Sequence, residues 1–330
     1  MRKYLTRLFE HKTLDRAEAM EVLTGIGEGR FNEHEITAFM TVYLMRSITI
    51  PELQGFRDAL LASCLPVDME GRKVMDIVGT GGDGKNTFNI STLACFIVAG
   101  AGQPVAKHGN YGASSISGAS NVMEKMGYRF KNDPAALRYE VDNAGICFLH
   151  APLFHPALKT VGPIRRNLGM RTFYNMLGPM VNPARPAYRL VGVYSLEMAR
   201  VYNYLLQDDS DPYAIIHGLD GYDEISLTND TKIITRSGEE VLSPEVLGKR
   251  RVFAEDLFGG ETTDAAAAIF RSILEGRGSW AQNAVVLANA AVALRSTGRY
   301  SSHEEAYAAA VESLDSGRAL DSLNKLIALQ

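Results

Sequence analysis

The feature that most constrains the fold is a glycine-rich loop between a short apolar run and a polar helix start. The apolar run covers residues 74–78, the glycines fall within 79–84, and Asn89, Ser91 and Thr92 follow. Glycines let backbone N–H groups face an anion, and a helix N-terminus adds unpaired donors and a positive dipole end. This order predicts a strand, a phosphate-binding loop and a helix.

The spacing of the glycines separates this loop from the common nucleotide sites. No Gly-Lys-Ser/Thr closes it, and after Gly79 and Gly81 the next glycine is Gly82 or Gly84, which breaks the Gly-x-Gly-x-x-Gly pattern. Asp83 also places a negative charge inside the loop. Because a metal-bridged polyphosphate would remove that conflict, we expect a phosphate ligand accompanied by a divalent cation.

The composition is that of a globular protein with an ordinary core. Of 330 residues, 46% are hydrophobic and 22% charged, and the net charge of −4 argues against nucleic acid as the main partner. The three cysteines are far apart, which disfavours a zinc site or disulfide framework. No stretch has the apolar length of a signal peptide core or a membrane span. We therefore expect a cytoplasmic protein without a membrane partner.

Periodicity divides the chain into a helical start and a longer region of alternating elements. Helical spacing dominates the first 65 or so residues. Candidate strands then lie at 74–78, 104–107, 146–149, 190–193 and 213–216, with a small antiparallel addition at 232–235 and 239–242. Candidate helices lie at 92–101, 117–126, 134–143, 156–168, 265–274, 281–294 and 303–314. The alternation predicts an α/β fold with a mostly parallel central sheet and helical cover.

A second polar loop follows the second predicted strand. Residues 107–120 combine Lys107 and Asn110 with several glycines and serines. One interpretation is a plain polar loop with Ser117 capping a helix. The other is a second anion-binding surface, which we favour because open α/β sheets bind ligands at the carboxyl ends of successive strands.

Two adjacent carboxylates follow another predicted strand. Asp223 and Glu224 could each bind a separate Mg²⁺ ion from a loop, or they could be solvated residues of a hairpin built on Asp220-Gly221. Because the glycine loop carries its own Asp83, we favour metal binding. Arg165 and Arg166, near the end of a predicted helix, are either structural cations or partners of a planar carboxylate.

These motifs together resemble the anthranilate phosphoribosyltransferase family. The matching segments are Gly79-Thr-Gly-Gly-Asp83, Asn89-Ile-Ser-Thr92, Lys107-His-Gly-Asn110 and Asp223-Glu224, and the resemblance covers nearly the whole chain. It implies a helical domain of residues 1–70, completed by helices around 156–185, and an α/β domain of residues 71–330. It also implies a homodimer through the helical part.

The resemblance further implies a pentosyltransferase of tryptophan biosynthesis, which moves phosphoribose from 5-phosphoribosyl 1-pyrophosphate (PRPP) to anthranilate. Magnesium, two ions per subunit, would be held by Ser91, Asp223 and Glu224. Anthranilate would contact Gly79, Asn110 and Arg165. The residues implied for PRPP are Gly79, Gly82, Asp83, Thr87, Asn89, Ile90, Ser91, Thr92, Lys107, His108, Gly109, Asn110, Tyr111, Gly112, Ala113, Ser114, Ser115 and Ala119. A neutral aromatic amine is already nucleophilic, so we expect no covalent nucleophile or strong base.

Three positions depart from the family's usual pattern. Tyr111 stands where an arginine is usual, Ile116 replaces a frequent lysine, and Ala119 replaces Ser or Thr. These changes remove positive charge and a hydroxyl from the pyrophosphate side, while backbone donors remain.

Two other functions stay open. A pyrimidine nucleoside phosphorylase shares the glycine loop, but its base-binding residues have no clear match. A non-catalytic nucleic-acid-binding relative would be expected to show a basic face and to lose its metal ligands, whereas this chain is acidic and keeps Asp223 and Glu224.

Overall fold

The computed structural model of the protein describes residues 1–112 and 116–330. Ala113, Ser114 and Ser115, each predicted to bind PRPP, lie outside the described residues. The chain forms two compact units. The first unit consists of Met1–Val67 and Ala151–Arg185, and the second of Asp68–His150 and Pro186–Gln330.

Within the described residues the chain forms fifteen α-helices and seven β-strands. The helices are α1 Arg2–Phe9, α2 Arg16–Gly27, α3 Glu33–Met45, α4 Ile50–Ser63, α5 Ile90–Gly100, α6 Ala119–Lys125, α7 Pro134–Ala144, α8 Ala151–Phe154, α9 Ala157–Leu168, α10 Leu196–Leu206, α11 Pro244–Gly248, α12 Thr263–Leu274, α13 Trp280–Ser296, α14 His303–Asp315 and α15 Arg318–Ala328. The strands are β1 Met75–Gly79, β2 Val105–Gly109, β3 Ile146–His150, β4 Tyr188–Gly192, β5 Tyr213–Gly218, β6 Thr231–Thr235 and β7 Gly238–Leu242.

The first unit is helical, and three of its helices begin at residues whose side chains cap the helix N-terminus. Helices α2, α3 and α4 each open with a capping box, in which a glutamate of the first turn accepts the N–H of the cap residue. In α4 that glutamate is Glu52, which is fully buried. It also accepts the Leu14 N–H at 3.0 Å and pairs with Arg46 at 2.5 Å. One buried carboxylate thus ties α4 to the segment before α2 and to the end of α3.

The second unit is built on one seven-stranded sheet with the order β3-β2-β1-β4-β5-β6-β7. The first five strands are parallel, and β6 and β7 are antiparallel additions. The prediction of an α/β fold with a small helical domain and a mostly parallel sheet is confirmed.

The order of the strands places a switch point between β1 and β4. From β1 the chain continues to β2 and β3 on one side, and from β4 to β5 on the other side. Gly79 and Gly192, the last residues of β1 and β4, lie opposite each other in the register. Ligands of open α/β sheets bind in the crevice at such a point, so the glycine loop emerges at the favoured position.

The helix that follows the glycine loop is rigidly held because it is apolar on nearly every side. Eight of the eleven residues of α5 are buried, and the helix packs against β1, α13, α14 and α15. A helix that is hydrophobic all round belongs in the core of a large domain. The core therefore holds the N-terminus of α5 in place, and the glycine loop leads directly into it.

The predicted elements differ from the structure in a few places. Helix α5 begins at Ile90 and not at residue 92, and α6 begins after Gly118, so that Gly118 and not Ser117 is its N-cap. The patterns above place no helix between β4 and β5, whereas α10 fills that connection, with Ser195 capping it. Two parallel neighbouring strands need such a crossover element.

No helix in the described part of the chain combines the length and apolar character needed to cross a membrane.

Candidate functional site

The glycine loop takes a shape that only glycine adopts without strain. Gly81, Gly82 and Gly84 have φ angles of +64°, +81° and +75°, in the left-handed region that costs other residues energy. Gly79 has an ordinary φ but needs its missing side chain for another reason: a Cβ there would meet the carboxylate of Asp223.

Asp223 is the residue on which three segments meet. Its Oδ2 accepts the backbone N–H of Gly81 at 2.7 Å, and the residue is only 7% exposed. At the end of β4, a Cβ on Gly192 would overlap the backbone oxygen of Asp223. The ends of β1 and β4 are therefore both glycine because the β5–β6 connection runs directly against them.

Glu224 closes the other end of the glycine loop. Its Oε1 accepts the backbone N–H of Ser91 at 3.1 Å, and its Oε2 accepts the Thr87 hydroxyl at 3.2 Å. The Ser91 N–H belongs to the first turn of α5, where the helix dipole favours a negative group. A donor that the sequence assigns to an anionic ligand is thus engaged by a carboxylate of the protein itself.

The three carboxylates of the site lie close to one another, and the charge of Lys85 only partly opposes the rise that burial causes in the pKa of Asp83. Burial, and then the charge of Asp83, raise the pKa of Asp223 to about 7. Burial, followed by the charges of Asp223 and Asp83, raises the pKa of Glu224 well above its ordinary value. Across residues 1–112 and 116–330, no Lys, Arg or His lies within ion-pair distance of these three carboxylates. Carboxylate oxygens that lack an ion-pair partner suit a hard divalent cation.

The protein does not form a complete metal cage here. In the part of the chain that the structure describes, no group of three or more His, Cys, Asp or Glu side chains is placed to hold a metal ion. A magnesium ion bound by one or two carboxylates takes its remaining ligands from substrate phosphates and water. The donor set therefore fits magnesium bound together with a phosphate-bearing ligand.

Lys107 and His108, two residues predicted to bind PRPP, lie within β2. The ammonium group of Lys107 donates to the Ile77 carbonyl oxygen at 2.5 Å, and the residue is 2% exposed. The backbone N–H of His108 donates to the buried carboxylate of Asp76 at 3.1 Å. Both residues therefore tie β2 to β1 in this structure.

The base of the second loop is fastened to α6. Oδ1 of Asn121 accepts the backbone N–H of Gly112 at 2.9 Å and that of Gly118 at 3.0 Å. The Tyr111 hydroxyl donates to Glu124 at 2.7 Å, and the Tyr111 ring lies 4.8 Å from that of His150. The two ends of the loop are thereby held together.

The two loops are joined by a hydrogen bond. The side-chain amide of Asn89 donates to the Ser117 carbonyl oxygen at 2.9 Å. Two buried polar atoms of the first loop, Thr80 Oγ1 and Asn89 Oδ1, have no hydrogen-bond partner among the described residues. Buried polar atoms are nearly always paired, so these two mark a place where a ligand would supply partners.

Several predicted residues can reach a ligand only through their backbone. The side chains of Ile90 and Thr92 are buried in the core at 0% and 1% exposure. Ala119 begins α6 and lies beside Gly109. A Cβ added to Gly109 would lie 3.2 Å from the Cβ of Ala119.

Arg165 belongs to the first unit, near the end of α9. It is half-buried, its guanidinium lies 5.4 Å from the Tyr174 ring, and it donates to Asn175 Oδ1 at 3.3 Å. Burial lowers the pKa of Arg165. Among the residues described, no carboxylate is within ion-pair distance of it. Arg166 is exposed. Of the two arginines, Arg165 is therefore the one that is half-buried beside an aromatic ring.

The sequence motifs miss two residues that shape the site, Gly192 and Asn121. The glycine that ends an apolar run could have indicated Gly192, because β1 ends in the same way. Asn121 carries no such local signal, since its role depends on hydrogen bonds made by the fold.

Comparison with known proteins shows the family. Residues 71–320 match the glycosyl transferase family α/β domain, and residues 2–64 match the helical bundle domain of the same family. An anthranilate phosphoribosyltransferase of Flavobacterium johnsoniae is 55% identical over 326 residues, which cover 99% of this chain and 98% of that protein.

Solved structures agree along the whole chain. The anthranilate phosphoribosyltransferase of Thermus thermophilus has a TM-score of 0.92 at 31% identity, covering 99% of this chain and 98% of its own. The Saccharomyces cerevisiae enzyme in complex with PRPP and Mg has a TM-score of 0.91 at 27% identity, with 99% and 96% covered. The same yeast enzyme with 4-fluoroanthranilate has a TM-score of 0.89 at 25% identity, with the same coverage. The chain therefore belongs to the anthranilate phosphoribosyltransferase family.

Proposed function

We propose that this protein transfers the phosphoribosyl group of PRPP to the amine of anthranilate. The products are N-(5-phosphoribosyl)anthranilate and pyrophosphate, in a step of tryptophan biosynthesis. The observation that supports the proposal is the contact of Asp223 and Glu224 with the glycine loop, at the switch point of the sheet. Relatives that match this chain over its full length are anthranilate phosphoribosyltransferases.

Magnesium is the cofactor that the donor set fits. Ser91, Asp223 and Glu224 would hold two ions per subunit. When bound, magnesium neutralises the charge that develops on the pyrophosphate leaving group. The yeast relative binds PRPP and Mg together, which supports the pairing of metal and donor substrate.

The two loops orient PRPP and stabilise the charge that develops on its pyrophosphate group. Bond breaking between C1 of the ribose and the pyrophosphate oxygen places positive character on the ribose and negative charge on the leaving group. N–H donors of the glycine loop and of the second loop (79–92 and 107–119) stabilise that negative charge. The amine of anthranilate attacks C1 in its neutral form and then releases a proton. Positioning and electrostatics therefore carry the reaction.

The acceptor would be held through its carboxylate. Arg165 offers a planar guanidinium that is half-buried, rests over the Tyr174 ring, and has no carboxylate partner among the described residues. Gly79 and Asn110 would complete the contacts to anthranilate. The yeast relative's complex with 4-fluoroanthranilate supports an acceptor of this shape.

We propose that the protein forms a homodimer through a surface of the helical unit. Phe9, at the end of α1, is 62% exposed, and Met45, at the end of α3, is 85% exposed, while α1 and α3 pack on each other. Light scattering would give twice the mass of the 330-residue chain, and Phe9→Ser with Met45→Ser would shift the equilibrium toward monomer. A monomeric wild type would contradict this assembly.

One assay separates the proposed function from its alternatives. The protein is mixed with Mg²⁺, PRPP and anthranilate, and the loss of anthranilate fluorescence is followed while mass spectrometry identifies the product. Parallel samples contain a pyrimidine nucleoside with phosphate, or labelled DNA and RNA. Turnover only with PRPP and anthranilate is expected. No turnover by folded protein, or phosphorolysis of the nucleoside instead, would contradict the proposal.

A further inference from the structure

A lysine in the glycine loop has no role in the account above. Lys85 is half-buried, and its Nζ lies 4.5 Å from the centre of the Tyr222 ring. Its backbone N–H donates to Asp83 Oδ1 at 3.0 Å, which fixes the direction in which the side chain leaves the loop. Its charge opposes the rise that burial causes in the pKa of Asp83, but within the described residues no carboxylate is at ion-pair distance from the ammonium group.

Lys85 lines a cavity that adjoins the carboxylate site. The cavity has a volume of about 570 Å³ and is bordered by Gly84, Thr87, Tyr222 and Phe258. Thr87 is the residue whose hydroxyl donates to Glu224. The cavity therefore opens directly beside the end of the glycine loop that Glu224 closes.

The charges around this cavity are mostly negative. The residues whose charges raise the pKa of Tyr222, after burial, are Asp220, Asp83, Glu255 and Glu224. Of these carboxylates, Glu255 borders the cavity itself, and Lys85 is the only cation among the residues that border it in the described chain. An ammonium group in this position lowers the repulsion that a polyanion would meet and offers three donors.

The second loop does not provide an equivalent cation. Lys107 is 2% exposed and its ammonium group donates to the Ile77 carbonyl oxygen, while Tyr111 and Ile116 are uncharged. Of these two lysines, Lys85 is the one that borders the cavity beside Thr87, with its ammonium group over the Tyr222 ring.

We propose that Lys85 binds the pyrophosphate group of the donor substrate. The inference rests on the proposed function and adds a binding residue to that site. Pyrophosphate is favoured over the 5-phosphate because a magnesium ion held by Asp223 and Glu224 would take further oxygen ligands from a polyphosphate. The cavity that Lys85 borders is also bordered by Thr87, whose hydroxyl donates to Glu224. Lysine serves as a point charge for such phosphate groups.

The test measures binding of inorganic pyrophosphate with Mg²⁺ by calorimetry, which requires no turnover. Lys85→Met is expected to weaken pyrophosphate binding about tenfold, the effect of one charge-assisted hydrogen bond, and Lys85→Arg to restore most of it. Ribose 5-phosphate, the second probe, is expected to bind Lys85→Met and wild type equally. In turnover, KM for PRPP rises in Lys85→Met while KM for anthranilate and kcat stay unchanged.

Lys249→Met is the matched control, because Lys249 also lies over a tyrosine ring, at 5.5 Å from that of Tyr307, without bordering the cavity. It is expected to match wild type. Unchanged pyrophosphate binding in Lys85→Met, an equal loss for ribose 5-phosphate, or an equal loss in Lys249→Met would each overturn the assignment. Failure of the proposed function would appear differently, as no turnover by the wild type.

Discussion

The loops that follow β1 and β2 both lie at the carboxyl edge of the sheet, but they are held in different ways. The loop after β1 is bound to Asp223 and Glu224, more than 130 residues away along the chain. The described part of the loop after β2 is bound mainly to its own helix, through Asn121 and Glu124.

This difference indicates separate tasks for the two loops. The first loop donates hydrogen bonds to Asp223 and Glu224, which have no ion-pair partner among the described residues. Its shape and the proposed metal site therefore depend on each other. The described part of the second loop is closed by local hydrogen bonds to Asn121 and Glu124, not by bonds to Asp223 or Glu224. Changes at the first loop should therefore remove activity, whereas changes at the second should weaken donor binding by degrees.

The largest effect is expected for Asp223→Asn combined with Glu224→Gln. Both amides keep the side-chain shape, but they lose the charge that would hold magnesium, so turnover should fall about 10³-fold. The rate of anthranilate fluorescence loss measures this, and circular dichroism with thermal melting checks the fold. A folded double variant with a near-wild-type rate would mean that the metal assignment is wrong.

The next effect is expected for Gly192→Ala, which tests the steric basis of the site. The added Cβ would overlap the Asp223 backbone oxygen, and overpacking of this kind costs about 1–3 kcal/mol. We expect a lower Tm and a loss of kcat/KM for PRPP of about 10²-fold, because Asp223 must move away from the Gly81 N–H. Unchanged Tm and kinetics would show that the close approach of β4 to Asp223 is unimportant.

Arg165→Ala tests acceptor binding independently of the two loops. The anthranilate carboxylate would lose a charged partner, so KM for anthranilate should rise about 30-fold while KM for PRPP is largely kept. Arg166→Ala is the matched control, since Arg166 is the exposed neighbour on the same helix. If both variants raise KM for anthranilate equally, Arg165 has no specific role.

The smallest effect is expected at the base of the second loop. Asn121→Leu removes the acceptor of the Gly112 and Gly118 N–H groups, and KM for PRPP should rise about fivefold with kcat nearly unchanged. Asn121→Asp keeps the acceptor and should remain close to wild type. A loss as large as that of the Asp223 and Glu224 variant would contradict the proposed difference between the loops.

Much of this fold could be predicted from local patterns. The apolar runs, the glycine loop and the alternation of strands with helices predict a mostly parallel sheet, and the strands lie within two residues of the predicted positions. Asp83, a charge at an unexpected place, already indicates a cation. The inferences about the fold are confirmed because backbone geometry is a property of short segments, whereas the cation beside Asp83 stays a prediction.

The site itself depends on contacts that no local pattern contains. The bond between the Ser91 N–H and Glu224 joins residues 133 positions apart, and it places a carboxylate where the sequence alone suggests a free donor. Likewise, Lys107 stands in a motif that predicts an anion ligand, yet it lies in a mostly buried strand and its ammonium group donates to the Ile77 carbonyl oxygen. Both outcomes depend on segments that only the fold brings together.

The most direct test of the central claim, that Asp223 and Glu224 with the glycine loop form a magnesium–PRPP site, is a titration of Mg²⁺. The protein is freed of metal with EDTA, PRPP and anthranilate are added, and the initial rate of fluorescence loss is recorded as Mg²⁺ is restored. We expect no rate without the metal, a saturable rise for wild type, and no rise for the Asp223→Asn, Glu224→Gln variant. Turnover that persists in EDTA, or a variant that responds to Mg²⁺ as wild type does, would contradict the claim.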